Sequence, residues 1–182
     1  NVTSLLFEDN ASAYLTGLIA GRMTETNKVG FIGGMESPVI SKFDYGFRAG
    51  VKAANPDAEV MVQYANSFTD SALGKTIANQ MHSKNADIIF TCAGAVGIGA
   101  IEAAKENGKK AIGVDQDQNS LAPENVITSA MKNIDVSVEE MLSKVVDGSY
   151  KGGEIIVNTL AMNGVGIPQS SEKNVPPDVL TY

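Results

Sequence analysis

The sequence predicts an α/β fold built on a doubly wound parallel sheet, and three observations predict it. Short runs of β-branched and apolar residues alternate with longer stretches of helical period. Each short run from Lys28 to Val114 is followed by a turn and, as far as Lys110, by a helical stretch. Capping residues fall at the joins: Asn10 and Asp70 can accept from unpaired first-turn N–H groups, and Gly108 can end a helix. With 182 residues, 43% of them hydrophobic and 19% charged, the chain can bury one good core or two small ones.

Taken in order, strands are expected at Val2–Phe7, Lys28–Ile32, Glu59–Gln63, Asp87–Thr91, Ala111–Val114 and Val126–Ala130, with another at Glu154–Asn158. Helices are expected between them at Ser12–Met23, Val39–Ala53, Ser71–Ser83, Val96–Glu106 and Asp135–Val146. The doubly wound unit thus has about five strands. The tail from Ile167 carries three of the six prolines and is expected to run along the surface with little regular structure.

Bulk properties exclude several classes of function. The formal charge is −7 and the 14 basic residues are scattered, which argues against nucleic acid as a partner. Cys92 is the only cysteine, so neither an intramolecular disulfide nor a thiolate metal cluster is expected. No apolar run reaches the roughly 18 residues of a membrane span, and no leader sits at the N-terminus. Because the chain starts at Asn1 rather than Met, any export signal or lipid anchor is expected to lie outside it.

In an open parallel sheet, ligands bind beyond the carboxyl ends of the strands. The loops there are Gly33–Pro38, Ala65–Asp70, Cys92–Val96 and Asp115–Leu121, rich in Gly, Ser, Asn, Asp and Phe and poor in cations. Such loops suit a neutral, hydroxyl-bearing, partly aromatic ligand better than a phosphate. Gly94, Gly97 and Gly99 are ordered G-x-x-G-x-G, unlike the dinucleotide fingerprint G-x-G-x-x-G. They permit tight helix–strand packing, and Gly94 can also turn backbone N–H groups toward a ligand.

Asp115 ends a buried strand at the crevice, where a carboxylate can accept from vicinal hydroxyls. Asp117 reads as a loop or capping residue. Lys132 is either a solvated lysine or a single cation donating to a polar ligand. Phe43 pairs with Phe47 at i, i+4, so a shared core stripe competes with a place in the site. Phe68 sits in a polar loop where no stripe calls for it, which suits stacking on a ring. His82, the one histidine, reads as a solvated helix residue.

The segments Tyr14–Gly17, Val29–Met35, Phe43–Gly50, Asn55–Pro56, Ser67–Asp70, Val114–Gln118 and Thr128–Lys132 resemble, in order, the basic membrane lipoprotein family, which includes purine nucleoside receptors. The resemblance runs from about Phe7 to Ile167. It implies the type I periplasmic-binding-protein fold: here the second lobe with a returning piece of the first. Residues 1–10 would be the last strand of the first lobe and a hinge, 11–132 the second lobe, 133–150 a helix returning to the first, and 151–182 a strand, a third crossing and the tail.

The resemblance further implies an extracytoplasmic receptor, periplasmic or lipid-anchored at the cell surface, that serves an ABC transporter permease and binds a nucleoside such as adenosine, guanosine or inosine. Phe68 would stack on the base, Asp115 and Lys132 would bind ribose hydroxyls, Gly94 would offer backbone contacts, and Phe43 would sit in or beside the site. No cofactor, metal or catalytic residue is implied, and the membrane is reached only through an anchor ahead of Asn1. Family members carry roughly a hundred further residues there, so the apolar face of the Asp135–Val146 helix needs another partner, and self-association is expected. Rival readings are a sugar or autoinducer receptor of the same fold, a regulatory domain, and an NAD-dependent enzyme, for which the crevice offers no catalytic base.

Overall fold

A computed structural model describes residues 2–181. In chain order the elements are β1 (Ser4–Phe7), α1 (Asp9–Met23), β2 (Lys28–Gly33), α2 (Pro38–Ala54), β3 (Glu59–Tyr64), α3 (Ser71–Ser83), β4 (Ile88–Cys92), α4 (Ala95–Glu106), β5 (Lys110–Asp115), β6 (Val126–Lys132), α5 (Ile134–Val146), β7 (Ile155–Asn158), β8 (Val165–Gly166) and α6 (Pro177–Leu180). The main sheet has the order β3-β2-β4-β5-β6-β8; its first five strands are mutually parallel and β8 runs antiparallel to β6. Each predicted strand and helix is present, most within a residue or two of its expected bounds.

Alternation along the buried strands divides the core into two layers. Phe31 of β2 and Phe90 of β4 face α1 and α2, where Phe90 meets Phe47 at 5.2 Å and Phe43 at 6.2 Å between ring centres. Ile32 and Ile89 face the other way, onto α3 and α4. Two predicted boundaries hold in detail. Asp70 accepts from the Leu73 N–H at 2.9 Å. At the end of α4, Gly108 has a φ of +61°, and the Lys109 N–H returns to the Ala104 carbonyl, a Schellman closure.

Other expectations are corrected. Asn10 does not cap α1, because the helix already begins at Asp9: the Glu8 N–H bonds to the Asn158 carbonyl at 3.0 Å and the chain turns straight from β1 into the helix. His82 is buried, not solvated. Its Nδ1 lies 2.9 Å from the Ala86 carbonyl, which the turn after α3 would otherwise leave without that partner. The tail is anchored: Ser171 is buried with its hydroxyl 2.8 Å from that of Thr128, Val175 enters the core, and Arg22 donates to the Asp178 carbonyl. β8 has only two residues and so carries no readable period.

A smaller body stands beside this sheet, made of the parallel pair β1–β7 and α5. Three chain crossings join it to the main sheet, at Glu8, at Asn133 and at 159–164. Buried Asn158 links them: its amide donates to the Leu6 carbonyl at 2.9 Å and its side-chain oxygen accepts from Ser137 at 2.8 Å. The body leaves Ile134, Val138, Leu142, Val145 and Ile155 exposed.

Candidate functional site

The five parallel strands end on one rim, and the loops above that rim lead into α2, α3 and α4. At its centre β5 ends in a tight turn. The Gln116 N–H donates to the Val114 carbonyl at 2.8 Å around Asp115, whose φ is +66°, making a γ-turn of the rare positive-φ form. That turn throws the carboxylate out of the sheet, leaving its side chain 59% exposed although Val114 beside it is buried. The loop behind is fixed by Gln118, which accepts from the Val114 N–H at 2.9 Å and donates from its own N–H to the Ser129 hydroxyl at 3.1 Å. Asp117 spends a carboxylate oxygen on the Asn119 N–H at 3.0 Å, in keeping with its reading as a loop residue.

Lys132 closes the neighbouring strand β6. Its Nζ lies 3.1 Å from Asp9 Oδ1 and 3.6 Å from Asp115 Oδ1. The side chain is only 17% exposed, and the amine sits between the rings of Phe7 at 5.6 Å and Phe43 at 5.4 Å. Burial alone would favour the neutral amine, but Asp9 and then Asp115 outweigh it and hold the pKa above the ordinary lysine value. Lys132 is therefore a charged, largely buried lysine. Beneath it the Cys92 thiol is pushed well up by burial and stays protonated, which makes it a poor nucleophile.

Gly94 forms the next part of the wall, with a φ of +57° at the start of α4, where the Ala95 N–H donates to the Phe68 carbonyl at 2.8 Å. The other glycines of that run serve packing: a β-carbon at Gly99 would lie 1.9 Å from the Ser71 carbonyl oxygen. Phe68 is 40% exposed, half free for a ring partner. Phe43 is different. It is 2% exposed, so its ring backs Lys132 from inside the core stripe it shares with Phe47.

Gly94, Asp115, Gln118, Lys132 and Asp135 border one open crevice of about 450 Å³. A larger depression of about 570 Å³ lies around Tyr14, Tyr45 and Leu160 between α1 and α2, but none of the residues lining it is charged. The residue that sequence reasoning missed is Asp9, 4% exposed at the first turn of α1 and paired with Lys132. The sequence signal was the second of two acids between a strand and an apolar helix; its partner is 123 positions away, and only the fold brings the two together.

The fold is that of the periplasmic-binding-protein class. A family model described as "ABC transporter substrate-binding protein PnrA-like" matches residues 1–179, and the chain belongs to that family, Bmp. The chain is similar to the "ABC transporter nucleoside-binding protein BmpA" of Lactococcus lactis subsp. cremoris, 42% identical over 92% of this chain and 52% of the relative. Among solved structures, an ABC transporter system solute-binding protein from Aeropyrum pernix K1 is 31% identical with a TM-score of 0.85, covering 93% of this chain and 50% of that one. A "Transcriptional Activator of comK gene" from Bacillus halodurans is 26% identical with a TM-score of 0.88, covering 98% and 61%. The chain spans about half the length of the curated relatives it matches. Among the described residues no helix is long and apolar enough to cross a membrane.

Proposed function

We propose that this chain supplies one wall, and a part of the other, of an extracytoplasmic solute receptor that binds a purine nucleoside in the Asp115–Lys132 crevice and delivers it to an ABC transporter permease. The observation that carries this reading is the pairing of an exposed, strand-anchored carboxylate with a buried ammonium at the rim. Together they offer an acceptor and a donor for vicinal hydroxyls. Gly94 borders the same crevice and touches Phe68, whose half-exposed ring suits a base. The name of the Lactococcus relative agrees with this ligand class.

In this reading β1, β7 and α5 belong to the opposite wall, and the three crossings form the hinge. Phe68 stacks on the base, Asp115 and Lys132 hold the ribose, Gly94 adds backbone contacts, and Phe43 supports Lys132 from behind. A binding and not a catalytic role fits this chain, whose Cys92 thiol is held protonated by burial and whose His82 imidazole is held neutral by it. Calorimetric titration of the full-length protein with adenosine, guanosine and inosine, set against ribose and hexoses, tests the proposal. Tight binding of nucleosides alone is expected; preference for a free sugar would assign the crevice to the sugar receptors of this fold.

A further inference from the structure

We propose that Asp9 is a positioning residue of the crevice, drawing the Lys132 ammonium off Asp115 and thereby leaving the Asp115 carboxylate open to ligand hydroxyls. The proposal rests on the nucleoside reading of the crevice. Lys132 stands between two carboxylates and is nearer the buried one, at 3.1 Å against 3.6 Å. Attraction to a buried charge is screened less than attraction to an exposed one, and Asp9 is 4% exposed while the Asp115 side chain is 59% exposed. The shorter distance and the weaker screening favour the same partner.

The lysine has few other places to go. Its stem is enclosed and its amine lies between the Phe7 and Phe43 rings, so swinging into solvent would abandon both. The charged and titratable groups around it are Asp9, Asp115, the buried thiol of Cys92, and Asp135, which borders the same crevice. If Asp9 lost its charge, the ammonium would have to turn to Asp115 to offset its burial. The existing contact with Asp115 Oδ1 would then tighten into a close internal ion pair and compete with ligand hydroxyls for that oxygen. Asp9 itself lies outside the crevice lining, at the start of α1 beside the first crossing, so it acts through Lys132 and not by touching ligand.

A double-mutant cycle in the full-length protein tests this, with inosine as the probe and calorimetry as the readout. Asp9→Asn is expected to weaken inosine binding about tenfold, near the loss of one hydrogen bond to a charged group. Asp9→Glu should restore most of it. In a Lys132→Gln background there is no ammonium to misplace, and the double variant carries neither buried charge and so keeps the fold testable; there Asp9→Asn should cost no further affinity. The Lys132 side-chain titration, followed by NMR without ligand, should move down in Asp9→Asn. An equal loss from Asp9→Asn in both backgrounds, or an unmoved lysine titration, overturns the proposal. So does unchanged affinity in Asp9→Asn when Asp115→Asn weakens binding. If Asp115→Asn leaves inosine binding intact, the nucleoside reading itself has failed and the role of Asp9 falls with it.

Discussion

The ring of Phe68 rests on the backbone of Gly34: a β-carbon at position 34 would lie 2.1 Å from its Cε1 and 2.4 Å from its Cδ1. The backbone at Gly34 is held in place by its N–H bond to the Cys92 carbonyl and by the Asn66 N–H bond to its own carbonyl. Gly34→Ala should therefore displace the ring and little else. A loss of about 0.5–1.5 kcal/mol in nucleoside affinity is expected, the range of a ring–ring contact. Calorimetry on Gly34→Ala, Phe68→Ala and the double variant checks it: the double variant should bind no more weakly than Phe68→Ala. Unchanged affinity in Gly34→Ala would separate Phe68 from the ligand.

Asp115→Asn keeps the shape and the backbone preference of the residue while removing the charge, and should weaken nucleoside binding by about 1.5–3 kcal/mol. Asp117→Asn should leave affinity nearly unchanged, because that side chain is engaged with the Asn119 N–H. Equal losses in a calorimetric comparison would reject the assignment of Asp115.

His82 gives stability a pH dependence of known sign. Burial lowers its pKa below the ordinary histidine value, so the folded state resists taking up a proton that the unfolded state accepts. The contribution is fully present above about pH 6.5, the ordinary value, and is lost as pH falls from there through the lowered folded value. Melting curves between pH 7.5 and 5.5 should show that decline, and His82→Gln should flatten it. A variant with the same slope as the parent would trace the decline to another group.

How much of this was legible in the sequence depended on whether a residue's role was local. The runs Val29–Ile32 and Val126–Ala130 announced themselves because a strand buried on both faces reads as a near-continuous run of apolar and small residues, with only the short hydroxyls of Thr128 and Ser129 interrupting the second. Asp70 and Gly108 were legible because caps act within a turn or two of themselves. Asp115 was legible as the acid at a strand end, although its γ-turn was not. Asp9 was passed over because its partner comes from the end of β6, far along the chain. His82 was misjudged although its partner Ala86 is only four residues on, because its polar neighbours in the sequence gave no sign of the packing that buries it.

The exposed face of α5 predicts how this 182-residue chain behaves by itself. Val138, Leu142, Val145 and Val146 present apolar side chains to water, and such a patch favours association. Sedimentation should show reversible, concentration-dependent self-association that Leu142→Glu with Val145→Glu abolishes, and nucleoside binding by the isolated chain should be millimolar or weaker. A strictly monomeric parent chain that binds nucleosides at submicromolar level would overturn both expectations.

The γ-turn at Asp115 sets the protein's interest in folding against its interest in its ligand. A side chain held at positive φ stores strain of order 1 kcal/mol or more, which glycine would not carry. Under selection for robustness alone, position 115 would be free to drift to glycine, and Asp115→Gly should melt no lower than Asp115→Ala, which keeps the strain and loses the carboxylate. Directed evolution of this chain for heat resistance, run without ligand, is then prone to erase the residue on which recognition depends. The same selection run with nucleoside present would retain it.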